Sequence, residues 1–283
     1  MLITPSVQAQ NLFVDCYFSG NIYEYTPGGV QSTLPYSVSY PWALAFNNAG
    51  DLFVAAYASG IIYEYTPGGT ESIFASGLSG PNGLAFDSTG DLFEADYGSG
   101  NIYEFTPGGV KSTFASGLSG PTALAFNSAG DLFASAGSGI YEFTPGGVES
   151  TFASGFSQLG GGLVFNSAGN LFVYGNWDYI LEFTPDGVRS TFASGLANVY
   201  NGMVFDSAGN LFVLEYGNGM GNNGNILEFT PGGGESTFAS GLYAPTALAF
   251  QPEPVPEPSV LALLAVGTGA LCIHRRHKGK SFT

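Results

Sequence analysis

With 283 residues, 22 acidic side chains against six basic ones and a formal charge of −16 at pH 7, the chain is long enough for a sizeable core and too acidic for a phosphate-binding surface. Before residue 250 the basic residues are Lys111 and Arg189, set against twenty acidic ones, a net −18, so no nucleic-acid partner is expected. The same excess favours solubility and leaves room for cation binding.

Residues 1–10 lack a basic and an apolar region, but Ser6-Val7-Gln8-Ala9 resembles the small-residue end of a secretory signal. They are expected to be the remnant of an export signal whose start lies further upstream. From residue 11 the chain repeats itself. N/D-L-F begins at Asn11, Asp51, Asp91, Asp131, Asn170 and Asn210, at spacings of 40, 40, 40, 39 and 40 residues. T-P-G/D-G begins at Thr26, Thr66, Thr106, Thr144, Thr184 and Thr230. A third block ends at Phe46, Phe86, Phe126, Phe165, Phe205 and Phe250.

One period, residues 81–118, holds four short apolar runs: P-N-G-L-A-F, D-L-F-E-A-D, N-I-Y-E-F-T and V-K-S-T-F-A. Their Phe, Tyr, Ile, Val and Thr content, with Gly, Asn, Ser and Pro between them, predicts strands A to D joined by tight turns. Short connections make neighbouring strands antiparallel. A four-stranded antiparallel unit of about 40 residues, repeated six times, describes a six-bladed β-propeller over residues 11–250. The chain enters this region at strand B and leaves it on an unpaired strand A, Pro245 to Phe250. That last strand is expected to complete the first blade and close the ring, which removes exposed edges.

Residues 251–258 form a Pro-rich linker, and residues 259–283 contain an apolar stretch, Val260 to Ile273, followed by His274-Arg275-Arg276-His277-Lys278. A single membrane helix is expected there, short against the roughly 20 apolar residues of a full span, with its basic end cytoplasmic. Cys16 and Cys272 then fall in different regions, and no disulfide framework is expected.

Val255-Pro256-Glu257-Pro258, the apolar stretch and the Arg275-Arg276 cluster together closely resemble the PEP-CTERM sorting signal. That resemblance implies an exosortase-type membrane protease as partner, transient anchoring in the inner membrane, and transfer to the cell surface or extracellular matrix of an exopolysaccharide-producing bacterium. The tail also resembles the C-terminal domain of proteins grouped as ice-binding, although the repeats offer no flat threonine array. The repeats themselves resemble NHL repeats and, in Pro81-Asn82-Gly83-Leu84-Ala85-Phe86 and Ala95-Asp96-Tyr97, gluconolactonase-type propellers. Function must then be argued from the site, because such rings serve as enzymes, binders and scaffolds.

His274 and His277 both lie in the tail, which leaves the repeats without an imidazole for a Ser-His-Asp relay or a His-ligated zinc. Departures from the repeat mark candidate positions instead. Near the start of strand A, Trp42, Thr122, Gly161 and Thr246 are replaced by Asn82 and Asn201 in the third and sixth blades. At the end of strand B, Cys16, Ala56, Ala136 and Gly175 are replaced in the same two blades by Asp96 and Glu215. Counting back from the turn sets Asn82 opposite Ala95 and beside Asp96. The four residues could hold Ca²⁺, and the gluconolactonase resemblance implies a metal that polarises a lactone carbonyl; drift in a duplicated repeat accounts for the same pattern. Glu24, Glu64, Glu104, Glu142, Glu182 and Glu228, one per strand C, are expected to be solvated or paired with nearby Ser and Thr. The Phe and Tyr residues are expected to fill the core between blades and not to form a stacking platform for bases or sugars, with exposed Trp42 and Trp177 as the candidate carbohydrate contacts. The expectation is an exported scaffold binding a protein or glycan, with a Ca²⁺-dependent lactonase-like hydrolase as the alternative.

Overall fold

A computed structural model describes residues 10–157, 159–175, 178–217 and 222–252. Its 24 described strands form six separate four-stranded sheets, and every pairing is antiparallel. Blade 1 holds β1 (Leu12–Cys16), β2 (Asn21–Tyr25) and β3 (Gln31–Ser37). Blade 2 holds β4 (Pro41–Phe46), β5 (Leu52–Ala56), β6 (Ile61–Tyr65) and β7 (Glu71–Ala75). In blade 3 follow β8 (Pro81–Phe86), β9 (Leu92–Asp96), β10 (Asn101–Phe105) and β11 (Lys111–Ala115). Blade 4 is built from β12 (Pro121–Phe126), β13 (Leu132–Ala136), β14 (Gly139–Phe143) and β15 (Glu149–Ser154). Blade 5 adds β16 (Leu159–Phe165), β17 (Leu171–Gly175), β18 (Tyr179–Phe183) and β19 (Arg189–Ser194). Blade 6 adds β20 (Val199–Phe205), β21 (Leu211–Glu215), β22 (Asn222–Phe229) and β23 (Glu235–Tyr243). The last described strand, β24 (Pro245–Phe250), pairs with β1 and completes blade 1, as the repeat order predicts.

Period-two alternation decides which side chains meet at each blade boundary. The second residue of each strand B is a buried Phe: Phe13, Phe53, Phe93, Phe133, Phe172 and Phe212. Each reaches the last Phe of the next blade's strand A with centroids about 5 Å apart, Phe13 on Phe46, Phe133 on Phe165 and Phe172 on Phe205 among them, edge to face. The sixth of these contacts, Phe212 on Phe250 at 5.1 Å, joins blade 6 to the strand that closes blade 1. Ring closure therefore repeats the same wedge that holds every other boundary.

Strands A of adjacent blades touch all round the ring, β24 with β4, β4 with β8 and onward, and line the central channel. A cavity of about 100 Å³ lies there, bounded by Trp42, Asn82, Thr122, Gly161 and Met203 among others. Strand C carboxylates sit further out and are tied locally: Ser32, Ser72 and Ser112 donate to Glu24, Glu64 and Glu104, and Asn170 donates to Glu182. The expected membrane helix and the basic tail lie outside the described residues. Among the described residues no helix is long and apolar enough to cross a membrane.

Candidate binding face at the channel mouth

The connections from strand D to the next strand A and the turns from strand B to strand C emerge at one end of the channel. Backbone bonds knit them together: Tyr17 N donates to Ala244 O, Tyr57 N to Tyr40 O, Tyr97 N to Gly80 O and Tyr216 N to Asn198 O. Asn82 and Asp96 lie on the paired strands β8 and β9, but not in the expected register. Pro81 pairs with Asp96 and Gly83 with Ala95, so a bulge carries Asn82 out of the ladder and into the channel lining. Counting from the turn missed it because an extra residue on one strand leaves no mark in the sequence.

The carboxylates serve the backbone. Asp96, buried, accepts from Ser79 N at 2.6 Å and from Ser99 N at 3.0 Å, tying the connection that precedes β8 to the turn that follows β9. Glu215 does the same in blade 6, accepting from Ala197 N at 2.8 Å and from the Asn225 side-chain amide at 3.0 Å. Asn82 Oδ1 takes the Trp42 indole N–H at 2.9 Å. Asn201 lies on β20, its side chain outside the described residues. Each described oxygen ligand proposed for Ca²⁺ belongs to a carboxylate or amide already holding an N–H, and the two carboxylates stand in different sheets. These members fit a structural tie better than a shared cation. Among the described residues no group of three or more His, Cys, Asp or Glu is placed to hold a metal.

Two other buried carboxyls escaped the repeat comparison. Asp15 Oδ1 accepts from Ala247 N at 2.6 Å and from the Thr246 hydroxyl at 2.7 Å, across the closure pairing of β1 and β24, while Oδ2 has no partner. Burial raises this carboxyl to about 6 against those bonds. Glu94 is fully buried and neither carboxylate oxygen finds a partner. Burial first, and then the Asp96 charge, push it up to about 9, with Lys111 acting in the opposite sense. The signal was available in the sequence, since the same strand B position is Val14, Val54, Ala134, Val173 and Val213 in the other blades.

What the sequence reading missed most is an arc of aromatic rings around one side of the mouth. Tyr243 contacts Phe18 at 5.6 Å, Phe18 contacts Tyr17 at 5.0 Å, and Tyr17 contacts both Tyr40 at 5.0 Å and Trp42 at 5.2 Å. Trp42 continues to Tyr57 at 5.4 Å, and Tyr57 to Tyr97 at 6.5 Å. Phe18, Tyr40 and Tyr97 are about half exposed. Three of the rings come from one repeat position, the residue after strand B, which is Tyr17, Tyr57 and Tyr97 in blades 1 to 3 but Gly137 in blade 4. Trp42 belongs to this arc, half-buried rather than exposed, with its indole N–H held by Asn82. Trp177 lies outside the described residues.

Residues 254–278 match the PEP-CTERM protein-sorting motif. That motif implies export and processing by an exosortase at the membrane. No curated protein is significantly similar to the chain. Among solved structures, a streptogramin B lyase is 14% identical with a TM-score of 0.66 over 88% of this chain and 95% of that one. Virginiamycin B lyase from Staphylococcus aureus is 17% identical with a TM-score of 0.64, covering 83% of this chain and 82% of its own. A putative gluconolactonase is 16% identical with a TM-score of 0.61, covering 73% and 80% respectively. At such identities the likeness is one of fold alone. The described residues thus form an all-β, six-bladed propeller, and residues 254–278 match a PEP-CTERM sorting motif.

Proposed function

We propose that the propeller is an exported binding module, held at the cell surface or in the extracellular matrix, which engages a protein or glycan there through the channel-mouth face. The observation that carries this reading is the arc of seven connected rings from Tyr243 to Tyr97, of which four are substantially exposed. Exposed aromatic side chains gathered on one face mark an interaction surface. Full-length protein added to producing cells that lack it is expected to rebind, and the Phe18→Ala, Tyr97→Ala double variant to rebind at least tenfold less. Equal rebinding by the variant would move the contact face away from the mouth.

A Ca²⁺-dependent lactonase-like hydrolase built on Asn82, Asp96, Asn201 and Glu215 would bind the ion through carboxylates that also accept from Ser79 N and Ala197 N. Stoichiometric Ca²⁺ heats in titration calorimetry, lost in the Asp96→Ala, Glu215→Ala variant, would favour that alternative.

A further inference from the structure

We infer that the aromatic arc is a stacking platform for an uncharged polysaccharide chain, an inference that rests on the mouth being the contact face. Three independent observations lead to it, and the first is a segregation of surface chemistry. The exposed large apolar side chains at the mouth are Phe18, Tyr40, Tyr97 and Tyr243, all aromatic. Those elsewhere are Val30, Ile73, Val110, Val148 and Val188, all aliphatic, on strand D or on the turns leading into it. Such sorting marks the mouth as a contact face, since aromatic side chains gather at binding surfaces. Ring faces flanked by phenol hydroxyls suit a pyranose, which offers an apolar C–H face and a rim of hydroxyls to the same ligand-binding surface.

The second observation is backbone strain. The residue before strand A takes a left-handed conformation in blade after blade: Gly80 and Gly120 at φ 76° and 57°, Asn198 at 53°, Ala244 at 50°. In blade 2 that residue is Tyr40, at φ 54°. A bulky aromatic side chain there is disfavoured where glycine is free, and such outliers gather at ligand sites. Tyr40 places its ring 5.0 Å from Tyr17, in the middle of the arc. The phenols of Tyr17, Tyr40 and Tyr57 lie close enough for the last two, after burial, to push the Tyr17 hydroxyl's pKa upward.

Charge selects the ligand. The propeller carries twenty acidic residues and two basic ones, and of the two Lys111 sits over the Tyr103 ring on the outer strands, while Arg189 begins β19. Neither belongs to the arc. An anionic polymer would find no cation there and would meet a strongly negative body. The arc also occupies one side of the mouth, through blades 6, 1, 2 and 3, a shape suited to a chain laid across it rather than to a small molecule in the channel.

Affinity electrophoresis of the full-length protein tests this, in gels that contain an uncharged glucan, mannan or galactan or, separately, alginate or polygalacturonate. Retardation by at least one uncharged polymer is expected. Tyr97→Ala and Phe18→Ala should each weaken it about tenfold, with Val110→Ala unchanged. Tyr40→Gly provides the readout that a merely structural role would not give: it should weaken retardation while raising the melting temperature, because it relieves the left-handed strain. Retardation only by the anionic polymers overturns the ligand class but leaves the mouth as contact face. Uncharged-polymer retardation that the ring variants do not change overturns both. No retardation by any polymer, in protein that still rebinds to cells through Phe18 and Tyr97, overturns the glycan and leaves a protein partner at the same face.

Discussion

Phe212→Ala is expected to destabilise the propeller by about 3–5 kcal/mol, the usual cost of removing a buried Phe from a packed core. Phe212 meets Phe250 of the closing strand at 5.1 Å and Phe238 of its own blade at 5.2 Å, so the substitution opens a void at the only seam where the two ends of the described ring are joined. Phe133→Ala removes the equivalent ring between blades 4 and 5, where it meets Phe165 at 4.9 Å and Phe152 at 5.1 Å, but there the chain itself still links the blades. Denaturant unfolding of both variants should give similar losses of midpoint if every wedge contributes equally. A larger loss for Phe212→Ala would mean that the seam is the weakest boundary. A loss below about 1 kcal/mol for either variant would show that the repeated Phe wedge does not hold the blades.

Glu94→Val should have the opposite sign, stabilising the protein by about 3 kcal/mol at pH 7. The folded protein holds this carboxyl at about 9 against 4.5 for the free group, chiefly because burial disfavours its charge. A group whose folded value is raised binds its proton more tightly in the native state. The stability it contributes is complete below about pH 4.5 and is lost progressively as pH rises towards 9. Valine, the residue at this position in four sibling blades, has no charge to bury and fits the same packing. Melting curves from pH 4 to 9 should therefore slope downward for the native protein and more gently for Glu94→Val, the curves separating as pH rises. Parallel curves would mean that Glu94 finds a charged partner in solution.

The repeats made the architecture legible because spacing, turn chemistry and the order of elements all lead to the same closed ring of six blades. The partner replacements at Asn82 and Asp96 were legible too, as departures that coincide within one blade. Their purpose was not. A bulge shifts Asn82 out of the counted register, and the backbone N–H groups of Ser79 and Ser99 that occupy Asp96 belong to connections whose path no residue pattern specifies. The aromatic arc was hidden for a related reason. Tyr17, Tyr57 and Tyr97 follow the last residue of strand B, where alternation between core and solvent stops being a guide. Its continuity also depends on contacts such as Tyr17 with Trp42, which cross a blade boundary.

Hydrogen–deuterium exchange of the full-length protein, alone and with surface polysaccharide isolated from the producing cells, tests the central claim most directly. Slowed exchange confined to residues 17–20, 40–43, 57–60, 97–100 and 243–244 is the predicted footprint of a chain lying on the arc. Protection at the Thr-Pro-Gly-Gly turns or on strands D, with the mouth unchanged, would contradict it.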